Sequence, residues 1–211
     1  DQTLDVTTQP DTSIYHDRLD YERIVELIPP GASVLDLGCG GGTLLGLLRA
    51  RGHKRLVGVE LDERAIVQAT GNGYEVVQLD LEEPLTTFAD KQFDMVVLSQ
   101  TLPAIAATEQ IMDDMLRIGR AAIVSFPNFA YKPLREMLSK EGRTPSSPTL
   151  LNYNWWDTPN RRFLSIRDFE DFLDAREIEV HRRVALNTEL GKEIGDDPNL
   201  NADLAIFVVS R

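Results

Sequence analysis

Four glycines in five residues, Gly38, Gly40, Gly41 and Gly42, follow a short run that is apolar at Val34, Leu35 and Leu37. This pattern predicts a buried strand running into a tight turn. Glycines lack a Cβ, so such a turn lets a ligand lie against the main chain. Leu44, Leu45, Leu47 and Leu48 then recur at helical spacing, so the turn opens onto a helix N-terminus with unpaired N–H groups. Together these form a cradle for a cofactor. Gly38-x-Gly40-x-x-Thr43 approaches the dinucleotide fingerprint, and Glu60, closing the next predicted strand over Leu56–Glu60 with Leu61 after it, suits the hydroxyls of a ribose. Asp36 separates two readings. Beside a pyrophosphate it would oppose like charge, whereas it complements an ammonium group.

The elements that must position these residues alternate. A third strand is predicted over Tyr74–Leu79, closing with Asp80, a fourth over Phe93–Leu98, and a fifth over Ala121–Ser125. Asp62 is placed to cap a helix reaching about Thr70, and Thr108–Arg117 reads as another. Strands alternating with helices predict a parallel, doubly wound sheet, whose ligands bind outside the carboxyl ends of the strands. That rule gathers Asp36, Gly38, Cys39, Gly40, Glu60, Leu61, Asp80, Leu81, Ser99 and Gln100 into one expected site.

Upstream, residues 1–14 are polar and aperiodic and read as a flexible tail, while Tyr15–Ile28 reads as an amphipathic helix stopped by Pro29-Pro30. Tyr15 and His16 sit at its entrance. The stretch 126–165 breaks the alternation with five prolines and a concentration of aromatic residues. It is expected to be a lid over the cofactor face or a partner-binding surface. Tyr153, Trp155 and Trp156 are weighed as core beneath that lid, as a partner anchor, or as a cation–π cage. A helix over Ser165–Ala175 and two antiparallel strands, Glu177–Leu186 and Leu204–Val209, follow, joined by an expected exposed loop over 187–203.

Composition narrows the partners. The 34 acidic residues outnumber the 22 basic ones, for a net charge of −12, so a nucleic-acid backbone is disfavoured and a small molecule or another protein is expected. No apolar run is long enough to span a membrane, no secretory leader opens the chain, and one cysteine precludes an internal disulfide. A cytoplasmic location is the simplest expectation. His16, His53 and His181 occupy positions better explained as surface or strand residues, and Cys39 reads as a small loop filler. No metal constellation and no catalytic base stand out.

The D-x-G-x-G-x-G form of Asp36–Gly42, with Glu60 as the ribose acid, resembles motif I and its partner in class I S-adenosylmethionine methyltransferases. LSQTL at 98–102, SFPNF at 125–129 and WWDTPN at 155–160, in that order, resemble the MetW family of methyltransferase-like proteins associated with methionine biosynthesis. The resemblance extends over about residues 18–186. It implies a single Rossmann-like domain over 15–211, a three-layer sandwich around a mostly parallel seven-stranded sheet with an antiparallel C-terminal strand. It also implies S-adenosylmethionine as cofactor, S-adenosylhomocysteine as its product, a small-molecule methyl acceptor, and work beside homoserine O-acetyltransferase. On that reading Asp36 meets the methionine ammonium, Glu60 the ribose, and Asp80 and Leu81 the adenine. Ser99 and Gln100 lie near the reactive methyl. The absence of an Asn-Pro-Pro-Tyr signature after the fourth strand lowers the case for base or amide N-methylation. The chain departs from the family pattern at Gly41, usually an acid, at Pro103, usually Gln, and at Arg161-Arg162, usually Ile-His.

Overall fold

The computed structural model describes residues 18–211; the expected tail, Tyr15 and His16 lie outside the described residues. Eight strands form one sheet: β1 (Val34–Leu37), β2 (Leu56–Glu60), β3 (Glu75–Gln78), β4 (Phe93–Ser99), β5 (Gly119–Pro127), β6 (Glu179–Asn187), β7 (Lys192–Glu193) and β8 (Leu204–Ser210). Their spatial order is β3-β2-β1-β4-β5-β8-β6-β7. The first five are parallel, and β8 pairs antiparallel with both β5 and β6.

The eighth strand corrects the expected count of seven. The link after β6 is not a simple exposed loop. The Asn187 side-chain oxygen accepts the Leu190 N–H at 3.0 Å, and Gly191 takes the left-handed conformation, φ +61°. The chain therefore folds straight back, and β7 pairs with the end of β6. A short helix, α7 (Pro198–Asn201), fills the rest of the link.

The faces of the sheet follow from strict alternation along its central strands. Leu35 and Leu37 of β1, Val96 and Leu98 of β4, and Ala122 and Val124 of β5 enter one core cluster. This cluster packs against α4 (Thr108–Ile118) and α6 (Ile166–Ala175). Val34, Met95, Val97 and Ile123, in the opposite phase, enter the second. That cluster packs against α1 (Leu19–Leu27) and α2 (Thr43–Ala50). Each fully buried aliphatic side chain contributes about 1.5–3 kcal/mol. Continuing the second phase to the strand ends puts Asp36, Ser99 and Ser125 on the α1 face. Two of the helices are capped as their sequences require. Asp62 accepts the Ala65 N–H ahead of α3 (Glu63–Gly71), and Ser165 and Asp168 form a reciprocal capping box on α6.

Candidate functional site

The glycines of the β1–α2 turn have two different duties. Gly38, Gly40 and Gly42 take left-handed φ values of +74°, +53° and +87°. A Cβ on Gly40 would meet nothing within 4 Å, so open space lies over this residue. A Cβ on Gly38 would stand 3.2 Å from Thr101 Oγ1, where the β1 and β4 ends pinch together. Gly41 and Gly42 face the protein instead. Their added Cβ atoms would come within 2.6 Å of the Gln68 side chain and of Tyr74 Cδ2, respectively. Gln68 thus occupies the space that an acidic side chain at position 41 would need. Gly42→Ala is expected to lower stability by roughly 1–3 kcal/mol, from the clash and the left-handed backbone, as read by urea unfolding.

Glu60 closes this turn from β2. Its Oε2 accepts the Gly40 N–H at 2.8 Å, and Oε1 accepts the N–H groups of Leu61 and Asp62 at 2.8 and 3.0 Å. Three of about four acceptor positions on a carboxylate are therefore taken by main chain. Cys39 turns inward and packs where a side chain on Gly58 would stand. Burial, with Asp36 and Glu60 adding to it, pushes its thiol up to about 12. The native protein is accordingly expected to resist iodoacetamide near neutral pH and to react once unfolded.

Asp36 and α1 form the charged centre of the cleft. Asp36 is 3% exposed. Burial pushes its carboxyl up to about 7, the Arg18 charge opposes this, and Glu60 and Asp20 reinforce it. Arg18 lies just ahead of α1 and grips Asp20 with two hydrogen bonds, Nε to Oδ1 at 3.0 Å and Nη2 to Oδ2 at 3.2 Å. Its guanidinium stacks 3.8 Å from the Tyr21 ring centre. Asp20 is 1% exposed. Its burial acts to raise the carboxyl, but the Arg18 pair, with Gln100 and Ser99, outweighs this and holds it below the usual carboxylate range.

The predicted pair at the end of β4 joins this network. Ser99 Oγ donates to Asp20 Oδ2 at 2.7 Å and accepts from Arg18 Nη2 at 2.8 Å. Ser125 Oγ lies 3.3 Å from the same carboxylate oxygen. Gln100 has a left-handed backbone, φ +52°, held by its N–H donating to the Ser125 carbonyl at 2.8 Å. Asp80 is exposed, and its Oδ1 accepts the Glu82 N–H at 2.9 Å. A methyl on Gly38 would stand 3.9 Å from Leu81 Cδ1. Leu61 is 54% exposed beside Glu60. Arg18, Asp20 and Tyr21 are the site residues that the sequence reading missed.

His53 is buried with Nδ1 2.9 Å from the Ala32 carbonyl, and His181 lies beside Ser210. No group of three or more His, Cys, Asp or Glu able to hold a metal occurs among the described residues, and no described helix is long and apolar enough to cross a membrane.

The expected insertion begins after Pro127, because Phe126 and Pro127 belong to β5. It contains α5 (Lys132–Glu136), one π-helical turn over Met137–Glu141, and an irregular return to α6. Trp155 and Trp156 are 72% and 67% exposed, which overturns their reading as core. They pack edge to face on each other, 5.6 Å between ring centres. The Pro103 carbonyl accepts the N–H groups of both Arg161 and Arg162 at 2.8 and 3.0 Å. The insertion is thereby tied to the loop after β4.

A family model described as methionine biosynthesis protein MetW matches residues 18–209. The bifunctional methionine biosynthesis protein MetXA/MetW of Rhodopirellula baltica is 41% identical over 204 residues, covering 92% of this chain and 33% of that protein. A ribosomal protein L11 methyltransferase of Burkholderia vietnamiensis is 36% identical over 94 residues, 43% of this chain and 31% of the relative. The chain thus spans about a third of the length of these relatives. A solved S-adenosylmethionine-dependent methyltransferase from Mesorhizobium loti superposes with a TM-score of 0.68 at 14% identity, covering 92% of this chain and 98% of that one. A TehB-like methyltransferase from Corynebacterium glutamicum gives 0.58 at 20% identity, covering 93% and 86%. At these identities the likeness is one of fold, and the fold is that of class I S-adenosylmethionine methyltransferases.

Proposed function

The chain belongs to the MetW family of methionine biosynthesis proteins, and we propose that it binds S-adenosylmethionine at the carboxyl ends of β1, β2 and β4 and passes the methyl group to a small-molecule acceptor. The observation that carries this reading is Asp36, a buried carboxylate beside an open glycine turn and opposite an arginine. A carboxylate and a guanidinium together complement the zwitterionic end of an amino acid. Asp36 would take the ammonium. Arg18 would take the carboxylate through Nη1, which makes no hydrogen bond among the described residues. Glu60 would receive the ribose by exchanging a main-chain contact, while Asp80 and Leu81 would border the adenine.

When bound, the cofactor supplies a methyl group on a positively charged sulfur. The chain's own contribution is positioning and exclusion of water, which suits a site without a strong base. The test is calorimetric titration with S-adenosylhomocysteine, repeated on Glu60→Ala. Binding by the wild type that weakens at least tenfold in the variant supports the site. No binding by the folded wild type sinks it.

A second reading is favoured by the name of the R. baltica relative, which joins MetXA to MetW in one bifunctional protein. On that reading this chain is a cytoplasmic, S-adenosylmethionine-sensing accessory subunit of homoserine O-acetyltransferase. The exposed Trp155 and Trp156 would then be available to anchor a partner. Co-purification with the acetyltransferase tests it, and no association with or without the cofactor would remove it.

A further inference from the structure

A cavity of about 300 Å³ opens beside the charged centre of the cleft. Asp20 and Gln100 line it, together with Thr149 and Asn152 of the insertion and with Thr188 and Leu204. Asp20 and Gln100 also belong to the hydrogen-bonded network at the ends of β4 and β5, so the cavity adjoins the proposed cofactor site. Its volume lies at the lower end of the range for ligand pockets, which suits a metabolite.

The lining restricts the ligand. No Lys, Arg, His or aromatic residue contributes to it, so neither a phosphorylated compound nor a flat aromatic ring finds a counter-charge or a stacking face. Arg18, the nearby cation, does not line the cavity: its Nε and Nη2 hold Asp20, and its Nη1 is assigned to the cofactor's carboxylate. Thr188 donates to Asp203, placing a second carboxylate behind the wall. Thr149 and Asn152 make no side-chain hydrogen bonds among the described residues, which leaves a hydroxyl and an amide for a ligand. Asp20 lines the cavity and Asp203 lies behind Thr188, with no cation in the lining, so a nitrogen ligand fits where an anion does not.

On the reading that S-adenosylmethionine occupies the adjoining cleft, we infer that this cavity is the acceptor subsite and takes a small aliphatic amine. The bound ammonium first gives one proton to water; the freed nitrogen lone pair then forms the N–C bond, the C–S electron pair stays on sulfur, and the methylated product leaves as an ammonium. Asn152 orients the amine, and among the described residues its side chain makes no hydrogen bond to the proposed cofactor cleft.

The experiment titrates ethanolamine, 1,3-diaminopropane and putrescine calorimetrically into the protein saturated with S-adenosylhomocysteine, with glycerol and succinate as controls. Formation of S-adenosylhomocysteine from S-adenosylmethionine is followed with the same compounds. At least one amine is expected to bind and be methylated, and the controls are not. Asn152→Leu is expected to weaken amine binding roughly tenfold, the worth of one hydrogen bond to a polar ligand, with S-adenosylhomocysteine affinity within about twofold of wild type. Tight S-adenosylhomocysteine binding without amine binding overturns the subsite alone. The same follows if Asn152→Leu leaves amine affinity unchanged or if succinate is the better ligand. Failure of S-adenosylhomocysteine to bind overturns the cofactor reading and the subsite with it.

Discussion

Asp36→Asn is expected to weaken S-adenosylhomocysteine binding by roughly 10- to 100-fold at pH 8, the loss of one charge-assisted hydrogen bond. The same substitution should make the ligand-free protein more stable. These opposite signs have one cause. The folded chain holds the Asp36 carboxyl at about 7 because burial disfavours its charge, so keeping it ionised at pH 8 costs roughly 4 kcal/mol of folding free energy. An amide at this position removes that cost and adds a smaller one for its own desolvation. The expected net gain at pH 8 is about 1–3 kcal/mol by urea unfolding.

The wild type should show the linked pH dependence. Folded Asp36 binds its proton more tightly than the unfolded chain does. This contribution is therefore fully present below the ordinary carboxylate range and is lost as pH rises through about 7. Ligand binding runs the other way, since the cofactor's ammonium requires the carboxylate. Affinity should rise roughly tenfold between about pH 6 and pH 8, then level off, and Asp36→Asn should flatten the curve. A wild-type affinity independent of pH over that interval would remove Asp36 as the ammonium ligand.

The parallel order of the first five strands and the placement of Asp36 were legible because both depend on local regularities. The period of two along β1 and β4 assigns each side chain to a face, and the glycine turn marks the carboxyl end of β1. Asp20 was harder to see. A charged residue in an amphipathic helix reads as solvated, and only docking of α1 against β4 and β5 shows it to be 1% exposed. One signal was present: Asp20 stands four residues before Ile24, which is 0% exposed, and so shares its face.

Pro103 and the Arg161-Arg162 pair are far apart in sequence but meet in space. Pro103 has no N–H to offer, yet its carbonyl accepts from both Arg161 and Arg162. Arg161 also lies 3.7 Å from Glu82, whose carboxylate accepts the Ala106 and Ala107 N–H groups. The loop after β4 and the return of the insertion are therefore held together by main-chain hydrogen bonds and this ion pair. The exposed tryptophans show the opposite failure. Aromatic type alone suggested core, and nothing in their spacing revealed that they would be mostly exposed.

Arg18→Ala is expected to produce the largest loss of stability, about 3–5 kcal/mol, because it leaves the Asp20 charge buried without its partner. In the wild type two guanidinium hydrogen bonds and the Ser99 hydroxyl hold that carboxylate. Once the guanidinium is removed, the desolvation that Arg18 now outweighs becomes dominant and the Asp20 pKa must rise. The pH dependence of this contribution should then invert. With Arg18 present, Asp20 stabilises the fold above the ordinary carboxylate range, and this is lost as pH falls through its lowered value. In Arg18→Ala it should stabilise the fold at low pH, and that contribution should disappear as pH rises. Arg18→Leu combined with Asp20→Leu, which removes both charges, should recover most of the lost stability, although the cleft would lose its proposed carboxylate ligand. A cost below about 1 kcal/mol for Arg18→Ala, the range of a surface pair, would mean that α1 is held by its apolar face alone. The ion pair would then have no structural reason to lie in the cleft beyond what it does for a ligand.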